Sequence, residues 1–171
     1  IDIAGIVPHL DYLIVMGYDY HGGWSDRSGH NAPLQADGPC VQAGVTYWLD
    51  AGVPARKMLL ALPLYGRVFD ADAPGREFSE CTSRTYAEIL GLLRSRWKSH
   101  WDYNANVPYA VSPDGTRFCT YDDARSLEKK IAYAREKELA GIALWQITGD
   151  VVRGKHALIP VIHRKVPGRN L

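Results

Sequence analysis

Tyr18, Asp19 and His21 bring a phenol, a carboxylate and an imidazole together immediately after the apolar run Leu13-Ile14-Val15-Met16 and just before Gly22-Gly23. Such groups can transfer protons, hydrogen-bond a polar ligand or ligate a metal. Metal ligation is disfavoured: His21 and His30 have no third ligand at suitable spacing, so neither a metal nor another cofactor is expected. A second apolar run, Met58-Leu59-Leu60-Ala61-Leu62-Pro63-Leu64, ends in Tyr65-Gly66-Arg67. A third, Gly141-Ile142-Ala143-Leu144, ends in Trp145-Gln146. Asp19 and Arg67 can form a structural ion pair or bind a hydroxylated ligand. Trp145 can be a core residue or a platform for the apolar face of a sugar. The aromatic set leans toward rings with a polar edge, with ten Tyr and five Trp against three Phe, which suits sugar binding as well as packing.

Polar side chains where a buried strand gives way to a loop mark the sites of α/β folds and barrels. The three apolar runs read as buried parallel strands. Between them, Val41, Val45, Trp48 and Leu49 share one helical face over about Cys40 to Ala51, and Gly52 sits where a C-cap belongs. Asp122, Asp123 and Ser126 open a helix with Leu127, Ile131 and Ala134 on one stripe, its first turn acidic as the helix dipole favours. Leu158, Val161 and Ile162 mark a last helix before a polar tail. The pattern changes between 70 and 119. There Thr85 and Glu88 have capping-box spacing ahead of a helix whose periodicity runs through Ile89, Leu90, Leu92, Leu93 and Trp97. Val107–Val111 and Arg117–Tyr121 read as a hairpin about the turn Ser112-Pro113-Asp114-Gly115. Trp97 looks like helix packing, and Trp101 is a candidate for a cleft wall.

Strands alternating with helices imply right-handed βαβ units on a parallel sheet. Three strands cannot close a barrel, and a (β/α)8 barrel needs about 30 residues per unit. The expected architecture is therefore α/β, a partial (β/α)8 TIM barrel built from 1–69 and 120–171, with an α+β insertion over 70–119. The 171 residues are 46% hydrophobic and 23% charged with a net charge of +1, an ordinary globular composition. No basic run points to nucleic acid or an anionic membrane surface, and no apolar stretch approaches the ~20 residues that span a bilayer. The start, Ile1-Asp2-Ile3-Ala4, lacks Met and any leader, which suggests a fragment. An incomplete barrel would also self-associate. Cys40, Cys81 and Cys119 lack metal spacing and cannot all pair; three free thiols is the favoured reading, with one disulfide as the alternative.

These segments resemble glycoside hydrolase family 18, the chitinases and their relatives, and the bacterial members most. Met16-Gly17-Tyr18-Asp19 is similar to the family's M-x-Y-D strand, and Gly29-His30-Asn31-Ala32-Pro33-Leu34 to its following loop. Leu62–Arg67 resembles the next strand. Thr120-Tyr121-Asp122-Asp123, with Ser126 and Lys130, resembles the end of its insertion, and Glu138–Trp145 its final strand. The resemblance is collinear over nearly the whole chain. It implies retaining, substrate-assisted hydrolysis of β-1,4-linked N-acetylglucosamine, an exception to the two-carboxylate scheme. On that resemblance, Tyr18 binds the acetamido carbonyl, while Asp19 and Arg67 bind hydroxyls and each other. Trp145 underlies the reacting sugar, and Met16, Tyr65, Trp24 and Gln146 complete the subsite.

Two departures stand out. Gly17 occupies a position where the family often has Ala, Ser or Thr. The catalytic D-x-x-D-x-D-x-E motif is absent, which would place the general-acid Glu about 50 residues upstream of Ile1 and leave this segment inactive alone. The implied ligands are chitin or N-acetylglucosamine oligosaccharides, and the implied location is extracellular because polymeric chitin lies outside cells. A silent chitin-binding lectin, or a relative acting on peptidoglycan or N-glycans, remains an alternative.

Overall fold

Residues 2–166 are described by a computed structural model. The expected polar tail lies outside them. In chain order the elements are α1 (Ile3–Ile6), β1 (Leu13–Met16), α2 (Val41–Asp50), β2 (Met58–Pro63), β3 (Tyr65–Phe69), β4 (Cys81–Thr85), α3 (Tyr86–Arg94), β5 (Lys98–Asp102), β6 (Val107–Val111) and β7 (Phe118–Thr120). They continue with α4 (Ala124–Glu136), β8 (Gly141–Trp145), β9 (Val151–Val152), β10 (Lys155–His156) and α5 (Ile159–Lys165).

The three apolar runs form one parallel sheet in the order β1-β2-β8, with Val15 beside Leu60 and Leu60 beside Ile142. Parallel strands are apolar on both sides because crossover helices cover both faces. Only the central strand meets that condition fully: Met58, Leu60 and Leu62 of β2 are completely buried. β1 is an edge strand, and Ile14 and Met16 are 56% and 65% exposed, so the expectation of a buried strand fails there. α2 packs through Val41 and Val45 and is capped by Cys40, whose Sγ accepts from the Ala43 amide. Gly52, at φ +89°, turns the chain out of that helix. In α4 the apolar stripe is buried, and Asp123 and Ser126 form a reciprocal capping box.

A second sheet is antiparallel, with strand order β4-β3-β7-β6-β5. The second apolar run is therefore two strands. The chain breaks at Leu64, whose amide donates to Trp145 O at 2.7 Å while its carbonyl accepts from the Tyr86 amide at 3.1 Å. β3 thus leaves the parallel sheet, and Tyr65–Phe69, assigned above to the barrel, pairs with the strands of the insertion. The hairpin of β6 and β7 and the capping box of Thr85 with Glu88 are present. β4 and β5 had no counterpart in the sequence reading.

Asp122 is more than a helix start. It is 2% exposed, and both its oxygens accept from the fully buried Lys130 Nζ, at 2.5 and 2.6 Å. Trp97 is buried in the core, and the three cysteines are unpaired. Among the described residues no helix is long and apolar enough to cross a membrane, and no group of three potential ligands clusters as a metal site would need.

Candidate functional site

β1 ends at Met16, and Gly17 extends the ladder by donating to Ala61 O at 3.0 Å. The chain then turns at Asp19, which takes a left-handed φ of +64°. That conformation is tolerated by Asp better than by most residues, and it needs support from its surroundings. It aims the carboxylate at β3, where alternation puts Tyr65 and Arg67 on one face. Asp19 Oδ1 accepts from Tyr65 Oη at 2.5 Å and from Arg67 Nη2 at 2.6 Å. Asn31, 1% exposed, presents Oδ1 to the Asp19 amide and to Arg67 Nε, both at 3.3 Å. The Arg67 guanidinium lies 4.6 Å from the Trp24 ring centroid, within cation–π range.

A cavity of about 210 Å³ opens beside this cluster, lined by Asp19, Tyr65, Arg67, Thr85, Trp145 and Gln146 among others. Trp145 ends β8 with 58% of its surface exposed, and its peptide bond to Gln146 is cis. A large ring left in water at a strand end offers a flat apolar face. Tyr18 packs edge-on against Tyr65, with ring centroids 5.9 Å apart.

Electrostatics hold Tyr65 and Arg67 in their protonated forms. Burial, reinforced by Asp19, pushes the Tyr65 hydroxyl far above its ordinary value, so Tyr65 stays a donor. Burial alone would lower the Arg67 pKa, but the hydrogen bond and charge of Asp19 raise it above its usual value. Burial and the neighbouring Asp19 charge also raise Tyr18. A neutral phenol, a guanidinium and a carboxylate thus face one opening. This arrangement suits binding a neutral, hydroxyl-rich ligand better than it suits proton transfer from the lining residues.

The geometry joins Asp19, Tyr65, Arg67, Trp145 and Gln146 around one cavity. It attaches Trp24 through Arg67 and Tyr18 through Tyr65. Met16 is not among the lining residues and is largely exposed at the sheet edge. Trp101, a candidate for the cleft wall, does not line the cavity either; its ring carries Arg125 at 3.8 Å from the centroid. The sequence reading passed over Asn31, Ser83 and Thr85 as site residues. Only the loop containing Asn31 offered a signal, through its place directly after the first strand.

The sequence model of Glycosyl hydrolases family 18 matches residues 1–150. The chain belongs to that family. Chitinase A1 of Niallia circulans is 33% identical over 87% of this chain and 25% of its own length. A group IV chitinase of Ostrinia furnacalis superposes with a TM-score of 0.86 at 31% identity, covering 96% of this chain and 52% of the other. Human YKL-39, described as a pseudo-chitinase with retained chitooligosaccharide binding properties, gives 0.86 at 27% identity over 95% of this chain and 52% of its own. The chain spans a quarter of the length of that curated relative and about half of those solved chains. The three-stranded parallel sheet of this family 18 chain is accordingly part of a (β/α)8 barrel, and the cavity lies at the C-terminal ends of its strands.

Proposed function

We propose that this chain supplies the sugar-binding half of the active site of a chitinase-type hydrolase acting on β-1,4-linked N-acetylglucosamine. The observation that carries this reading is the convergence of the Asp19–Arg67–Tyr65 cluster with Trp145 and Gln146 on one cavity at the strand ends. Family membership supports it. In this reading Trp145 stacks under the reacting sugar. Arg67 and Asp19 bind its hydroxyls, and Tyr18 donates to the acetamido carbonyl. The acetamido oxygen then attacks the anomeric carbon while a carboxylic acid from outside this chain protonates the departing glycosidic oxygen. Holding the acetamido group against the anomeric carbon makes that attack effectively unimolecular. The Tyr18 hydroxyl contributes by orienting the acetamido oxygen toward the anomeric carbon, a positioning role. Because the polymer is extracellular, so is the proposed site of action.

The test uses the full-length protein with (GlcNAc)4. Expected are hydrolysis by the wild type and a kcat loss of about 10²-fold for Tyr18→Phe, as misplacement of the acetamido group would cause. Trp145→Ala should raise KM. Failure of the wild type both to bind and to cleave the oligosaccharide overturns the reading. A second reading, a binding protein without hydrolysis, is favoured by the equally good superposition on YKL-39. Binding without release of reducing ends would establish it.

A further inference from the structure

The Asp19 carboxylate is useful only if it stays where Tyr65 and Arg67 meet it, yet it stands on a left-handed residue at the end of an edge strand. Nothing within the strand ladder fixes it there. Asn31 does so from across the loop, because one oxygen, Oδ1, accepts from both the Asp19 amide and Arg67 Nε. It therefore holds the backbone of one partner and the side chain of the other in a common frame. Its Nδ2 is buried without a hydrogen-bond partner among the described residues.

Asn31 is itself held from behind. Its amide donates to Thr120 Oγ1 at 3.0 Å, and its carbonyl accepts from the Tyr20 amide at 3.0 Å. Thr120 stands opposite Arg67 in the ladder between β3 and β7. The neighbouring His30, 7% exposed, reaches Thr120 Oγ1 through Nδ1 at 3.4 Å and Asp102 Oδ2 through Nε2 at 3.0 Å. Asp102 in turn caps its own turn by accepting from the amides of Asn104 and Ala105. The loop after β1 is thus stapled to three strands of the antiparallel sheet, and Asn31 is where that frame touches the cluster.

We propose that Asn31 is the positioning residue of the Asp19–Arg67–Tyr65 cluster, setting sugar affinity through those residues without touching the sugar. The proposal rests on the sugar-binding reading above for its consequence, though not for its geometry. Two measurements on the full-length protein test it. The first is hydrogen exchange of the unliganded protein over residues 17–21. Asn31→Ala should speed exchange there at least tenfold, while Asn31→Asp, which keeps the acceptor oxygen, should restore most of the protection. Thr120→Val, which deletes the hydroxyl behind Asn31, should loosen the same segment and serves if Asn31→Ala does not fold. The second is a double-mutant cycle in (GlcNAc)4 affinity. Asn31→Ala should weaken binding about tenfold in the wild-type background and clearly less when Asp19 is already Ala, since only Arg67 then remains to be positioned. Unchanged exchange in Asn31→Ala, or in Thr120→Val where that variant stands in, overturns the proposal. So does an equal affinity loss in both backgrounds. A wild-type protein that binds no oligosaccharide would sink the sugar-binding reading, and the exchange result would still decide the role of Asn31.

Discussion

Asp19 receives both Tyr65 and Arg67 on a single oxygen, so the geometry of the cluster hangs on the residues immediately before it. The unusual one is Gly17. A Cβ there would lie 2.8 Å from Leu60 Cδ1 and 2.9 Å from Ala61 O. The leucine can rotate, but the carbonyl belongs to the strand that Gly17 itself bonds. The close approach of β1 to β2 thus leaves no room for a side chain at Gly17. Gly17→Ala should cost about 1–3 kcal/mol, as overpacking does. A urea titration would show this as a lower midpoint at unchanged slope, and an unmoved midpoint would show that β1 simply shifts outward. At this scale the sequence was informative about placement, since Asp19, Arg67 and Trp145, picked out at strand ends, line one cavity. It was silent on Asn31, whose role exists only once the loop folds back onto Thr120.

Elements show a different division. Helices were legible because their stripes and caps are local: Leu127, Ile131 and Ala134 repeat at helical spacing, and Thr85 with Glu88 closes its own box. β4 and β5 were not, because Thr82-Ser83-Arg84 and Lys98-Ser99-His100 are polar edge strands whose partners are distant in sequence. The break at Leu64 was hidden for the opposite reason, since the apolar run continues through Leu64 with no polar residue to mark the end of β2. The start of α4 carries a buried ion pair that propensity alone read as a simple cap. Removing one partner of such a pair leaves the other charge buried and costs about 3–5 kcal/mol. Lys130→Met should therefore destabilise strongly, and adding Asp122→Asn should recover part of the loss, both read from urea unfolding. A second expectation concerns pH. Burial lowers the His30 pKa despite the opposing pull of Asp102. Below its ordinary value of about 6.5 the unfolded chain binds a proton that the folded protein refuses. The stability tied to His30 is present above that value and is lost as the pH falls through it. Thermal unfolding should drop between pH 7 and pH 5, and His30→Gln should narrow the difference; an equal drop in the variant would assign it elsewhere.

For the whole molecule, the question is what a three-stranded parallel sheet does with its edges. Among the described residues β1 and β8 each pair only with β2, so their outer N–H and C=O groups lack ladder partners there, a standing invitation to another chain. Ile14 and Met16 are exposed along one edge. Near the other, Ile131, Ala134, Leu139, Ile142 and Val166 line an apolar groove of about 200 Å³. Sheets of this kind occur almost only with both faces covered, and the family relatives on which the chain superposes are about twice as long. The strand count carried this much without coordinates, because a barrel cannot close on three strands. Expressed by itself, the chain should sediment as concentration-dependent oligomers. Co-expression with the residues that precede it in its parent protein should convert these to a single species of defined mass. A monomer that unfolds cooperatively at micromolar concentration would mean that the edges are satisfied within the chain, and the three-stranded sheet would then have to be a self-sufficient unit. If the oligomers form but co-expression leaves them unchanged, the edges would be recognising one another instead of missing barrel strands.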